Sequence, residues 1–98
     1  MSELILDKKA VLLENSSQMR HCIKQCYECG MLHRKLKSQN LSFPCYMTID
    51  HIKDNLYMVE VNTEGLESEN SVEKLGYFSI TLKQFKQMTK EIFKNEEV

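Results

Sequence analysis

The chain has no tryptophan, one proline and three isolated glycines, and its excess of charge of either sign is a single unit. It also lacks any apolar run near the ~18 residues that a membrane-crossing helix requires. Each absence excludes something. Glycines at 30, 65 and 76 build no phosphate-cradling loop, and the scarcity of Pro and Gly leaves no composition for a linker between domains. A net charge of −1 is poorly matched to nonspecific polyanion binding, which goes with a strongly basic domain. The Met1-Ser2-Glu3-Leu4 start has neither a basic segment nor a small-residue cleavage site after it, so the expected location is intracellular, in cytoplasm or nucleus, with no membrane partner. In a reducing compartment the four cysteines are expected as free thiols.

What is present suits one small core. The 98 residues are 42% hydrophobic and 28% charged, a globular composition of single-domain size, and residues 1–98 are read as one domain. Charge divides along the chain: residues 1–40 are basic on balance, 41–76 acidic, and 77–98 weakly basic. Residues 1–14, with Leu4-Ile5-Leu6 and Val11-Leu12-Leu13, are an N-terminal extension whose pattern is too short to separate strand from helix.

From Asn15 the pattern is helical. Asn15 with Gln18 has capping-box spacing. Met19, Cys22, Cys26, Cys29, His33 and Leu36 then recur at steps of three and four, which predicts a long helix to about Lys37. Gly30 is the weak point in it. Alternation follows: Phe43, Cys45, Met47 and Ile49 oppose Tyr46, Thr48 and Asp50, and Tyr57, Val59 and Val61 resume the period after Lys53-Asp54-Asn55, predicting a hairpin. Residues 62–76 form an acidic loop, long enough to be a binding segment or to hide a short strand near Val72–Leu75. Tyr77–Ile80 reads as a strand, and Thr81 with Gln84 caps a helix whose stripe is Leu82, Phe85, Met88, Ile92 and Phe93. The expected fold is α+β in αβββα order, a small antiparallel sheet of about three strands with both helices on one face.

Catalytic constellations are sparse. His51 beside Asp50, with Cys45 on the same strand, is the nearest approach to a nucleophile, base and orienting carboxylate, yet Cys45 and Asp50 alternate to opposite faces. No enzyme activity and no cofactor are expected. Cys22, Cys26, Cys29 and His33 have the chemistry of zinc ligands. On one continuous helix they would span ~16 Å, far beyond bonds of ~2.3 Å, so they read as core residues, and metal binding stays an alternative that needs the helix to break or Cys45 or His51 to join. The Cys-x3-Cys-x2-Cys spacing resembles the cluster signature of radical S-adenosylmethionine enzymes. The helical setting, Tyr27 directly after Cys26, and a chain too short for a barrel all depart from it.

Two recognition functions remain. A second stripe on the first helix, Ile23, Tyr27, Met31 and Arg34, lies about 100° from the cysteine face. With six Met and four Phe in a small chain, it predicts apolar surface left over for a protein partner, as a homodimer or heteromer. The expected function is a non-catalytic interaction module: a small adaptor, inhibitor or complex subunit. The alternative is nucleic acid. The segment Gly76–Phe85 is loosely similar to the strand-to-helix junction of the single-stranded-DNA-binding coactivator family. That resemblance implies Tyr46, Tyr57 and Tyr77 stacking bases while Lys83, Lys86 and Lys90 meet phosphates.

Overall fold

The computed structural model describes residues 6–34, 43–61 and 69–93. The elements run β1 (Lys9–Leu13), α1 (Ser16–Glu28), β2 (Leu32–Arg34), β3 (Cys45–Lys53), β4 (Leu56–Val61), α2 (Glu69–Lys74), β5 (Phe78–Ile80) and α3 (Leu82–Phe93). The class is α+β, but the sheet is larger than the sequence suggested. It has five strands in the order β2-β4-β3-β1-β5 and is mixed: β1–β3 and β3–β4 are antiparallel, β1–β5 and β2–β4 parallel. The N-terminal residues are no appendage, since β1 sits between β3 and β5.

The largest correction concerns the first helix, which stops at Glu28 instead of continuing to Lys37. Its start follows the capping signal: the Gln18 amide donates to Asn15 Oδ1 at 2.9 Å, and the Glu14 amide donates to Gln18 Oε1 at 2.9 Å. Its end is set by Gly30, whose φ of +71° is in the left-handed region that other residues enter at a cost. There the Met31 amide donates to the Cys26 carbonyl at 3.0 Å and the Gly30 amide to the Tyr27 carbonyl at 3.1 Å, the paired bonds of a Schellman closure. Met31 turns back into the core beside Cys26. The 3.6-residue rhythm carries on past this point only by coincidence, because His33 belongs to β2 and pairs with Val59. Leu36 and the break at Ser38–Asn40 lie outside the described residues.

The same device ends α2, where Tyr77 N–H donates to the Val72 carbonyl and Gly76 N–H to Glu73, with Gly76 at φ +90°. A short helix therefore occupies part of the predicted acidic loop where a strand near Val72–Leu75 was the alternative, while residues 62–68 lie outside the described set. At α3 the capping box forms in both directions: Gln84 N–H to Thr81 Oγ1 at 3.1 Å, and Thr81 N–H to Gln84 Oε1 at 2.9 Å.

Packing gives three layers instead of two. Val61, Met47, Val11 and Ile80 stand in register across four strands beneath α1 and α3. They meet Met19, Cys22, Cys26 and Phe85 from the helices, with Leu82, Met88, Ile92 and Phe93 at the margin. On the opposite face Val72 of α2 packs on Ala10 and Tyr46. Among the described residues no helix is long and apolar enough to cross a membrane, and no buried side-chain nitrogen or oxygen lacks a partner.

A Cβ placed on Gly30 would meet no atom within 4 Å, so Gly30→Ala isolates the conformational cost of the left-handed turn. It should lower stability by about 1 kcal/mol. In thermal unfolding followed by circular dichroism this is a fall of ~4–8 °C, and Gly30→Asn should fall less. An unchanged midpoint for Gly30→Ala would show that the closure does not set the end of α1.

Candidate functional site

The cysteine face of α1 is built by its spacing. Cys22 and Cys26 are one turn apart on the same side, and the central strand β3 presents Met47 directly against them. Cys22 Sγ lies 3.6 Å and Cys26 Sγ 3.7 Å from Met47 Sδ, and all three side chains are wholly buried. The neighbouring Cys22 thiol and burial together push the Cys26 thiol far above its ordinary range. Cys29 is half-buried one turn on, where Gln25 Nε2 reaches its sulfur at 3.8 Å and Thr89 Oγ1 at 2.8 Å. Burial, helped by Cys26 and Glu28, pushes the Cys29 thiol up to about 11. All four cysteines are free.

The four-ligand set considered from the sequence does not assemble. Cys29 faces Thr89, and His33, on β2, meets the Tyr27 ring edge-on at a centroid distance of 4.5 Å. Among the described residues no three of His, Cys, Asp and Glu gather as a metal group. The Asp50, His51 and Cys45 combination is also taken apart. Asp50 accepts from Lys8 Nζ and from Tyr77 Oη, each at 2.8 Å, on the α2 side of the sheet. His51 Nε2 donates to the Asp54 carbonyl at 2.8 Å, and Cys45 is buried in the helix-side core. Hydrogen bonding and charge from Asp50 raise the pKa of Lys8, while burial and then Asp50 raise that of Tyr77. This is a structural network at the end of β1, and its ion pair is largely solvated.

The stripe predicted for a protein partner is not one helical face. Ile23 is partly buried against the core, Met31 is buried in it, and Arg34 is on β2, so only Tyr27 remains exposed on α1. The tyrosine platform for nucleic acid is likewise not formed. Tyr57 is buried under the helices at 2% exposure, Tyr46 is buried on the opposite face, and Tyr77 is spent on Asp50. Lys83 and Lys90 are exposed on α3. Lys86 instead borders an open groove of about 230 Å³ between α1 and α3, lined by His21, Lys24, Gln25, Glu28 and Lys86.

Exposed apolar side chains are found elsewhere. Tyr27 is 59% and Leu32 44% exposed at the β2 edge; Phe78 is 63% and Leu75 60% exposed at β5, with Ile52 at the hairpin. Lys9 Nζ stands 5.6 Å from the Phe78 ring centroid. Only Tyr27 was singled out by periodicity. Phe78 shares a face with Ile80 by strand alternation, but Ile80 is buried in the helix-side core while Phe78 is largely exposed, a difference that a three-residue strand pattern cannot register.

No family model matches this chain, and no curated protein or solved structure matches it either.

The elevated Cys29 thiol carries a kinetic expectation. At neutral pH its thiolate fraction is about a hundredfold below that of an ordinary exposed thiol. Alkylation of the native protein by iodoacetamide, mapped by mass spectrometry, should therefore be slow at Cys29 at pH 7.5 and accelerate up to about pH 11. Rapid labelling at neutral pH would contradict this environment.

Proposed function

We propose that the protein is a non-catalytic interaction module that associates with another polypeptide, a second copy of itself included, through the edges of its sheet. One observation carries the reading: both outer strands are flanked by large exposed apolar side chains, Tyr27 and Leu32 about β2, Leu75 and Phe78 about β5. Among the described residues neither strand has a partner on its outer side. An unpaired edge offers backbone donors and acceptors, and apolar neighbours supply the burial that makes such pairing stable. Asp50, His51, Gln25 and Thr89 are each engaged in internal hydrogen bonds, which accounts for them as structural groups.

Light scattering over a wide concentration range tests this. The weight-average mass should rise above the 11.5 kDa of one chain as concentration increases and change little with added salt. Phe78→Ser and Tyr27→Ser remove exposed rings, so each should alter folding stability by no more than about 0.5 kcal/mol. At least one should weaken association tenfold or more, by ~1.4 kcal/mol. A single-chain mass at every concentration, with retention only of a polyanion that dissociates as salt rises, would reverse the reading in favour of nucleic acid.

A further inference from the structure

The wholly buried sulfur triangle of Cys22, Cys26 and Met47 is independent of the sheet edges and is not used by the interaction reading. We propose that this triangle is a binding site for one Cu(I) ion. Met47 Sδ lies 3.6 Å from Cys22 Sγ and 3.7 Å from Cys26 Sγ, and the two thiols are within hydrogen-bonding reach of each other. Two metal–sulfur bonds of ~2.3 Å can span up to ~4.6 Å, so one ion can bridge the thioether to each thiol at these separations.

The donor set selects the ion. Thiolate and thioether ligands favour Cu(I), whereas zinc sites are completed by imidazole, carboxylate or further thiolates. Among the described residues no three of His, Cys, Asp and Glu converge, so no zinc set of that kind is assembled around these sulfurs. The thioether of Met47 completes the set from the neighbouring strand β3. When Cu(I) enters, two S–H bonds break, both protons pass to solvent and two Cu–thiolate bonds form, while Met47 donates a thioether lone pair to a third Cu–S bond. No electron is transferred, and the adduct carries one negative charge.

Anaerobic titration of the full chain with Cu(I), held by a chromophoric chelator as competitor, tests the site. One equivalent should be withdrawn from the chelator, and X-ray absorption should show a shell of three sulfurs. Met47→Leu conserves volume and should keep the fold, losing one sulfur from the shell and at least tenfold in affinity. Cys22→Ala with Cys26→Ala should abolish uptake. A measurement on the unaltered protein covers the case in which these variants do not fold. Bound copper should protect Cys22 and Cys26, but not Cys29 or Cys45, from alkylation in a rapid denaturing quench. No uptake above that of the double variant, a shell containing nitrogen or oxygen, or protection confined to Cys29 or Cys45 would each overturn the proposal.

Discussion

Pairing of β1 on both of its edges is the constraint from which the rest of the architecture follows. On one side it runs antiparallel to β3 over five residues, and on the other parallel to β5 over three. Without it, β5 and the helix that follows have no sheet to join. Composition suits the position: Val11 and Leu13 point into the helix-side core, while Ala10 is small enough to let Val72 and Tyr46 close over the opposite face. The pairing persists one residue beyond the strand. Lys8 N–H donates to the Ile49 carbonyl at 2.9 Å, and the Lys8 carbonyl accepts from Phe78 at 2.8 Å, although Lys8 sits at φ +59°. The Lys8, Asp50 and Tyr77 contacts then surround that turn from both neighbouring strands and give a local reason for its geometry.

The hairpin, the two capping boxes and the apolar stripe of the last helix were legible in the sequence, because each is a local pattern with a local cause. The errors have a common origin in long-range order. Residues 9–13 are too few to show a period, and what makes them a strand is pairing with residues almost forty and seventy positions away. The helical period overextends the first helix because Gly30, read within a helix, is only a ~1 kcal/mol penalty. Its actual part is a left-handed turn that also satisfies two terminal carbonyls. Once the chain reverses there, Met31 and Arg34 leave the helix and the predicted partner stripe dissolves with it.

Burial of the tyrosines shows why residue type alone overstated a nucleic-acid surface. Tyr57 and Tyr46 are largely apolar side chains on a sheet covered from both faces, and coverage by α2 follows from Val72 in a segment that reads as acidic loop. Among the described residues the lysines that stand over aromatic rings are Lys8 over Tyr77 and Lys9 over Phe78, not the three expected on α3. Lys24 and Lys86 line a polar groove with Glu28, and Lys9 is engaged over Phe78. A covered sheet leaves its edges as the places where large apolar groups meet solvent, and β2 and β5 are both only three residues long. Short edges limit indiscriminate strand pairing, so specificity there rests on the flanking side chains more than on the backbone.

Cysteine and methionine at the interface of α1 with β3 have a packing consequence apart from any ligand. Cysteines are short, which brings the helix close to the sheet, and methionine is unbranched and polarizable, so one Met47 side chain fills the space against both thiols. Leucine at 22 or 26 would hold the helix farther out and disturb the register of Met19, Phe85 and Ile80 around it. The sulfurs are therefore brought into contact by the same close approach that seals the core. The apolar side chains at the sheet edges lie outside that core and contribute little to it. Core and edge can consequently change independently, and a substitution that perturbs one provides a control for the other.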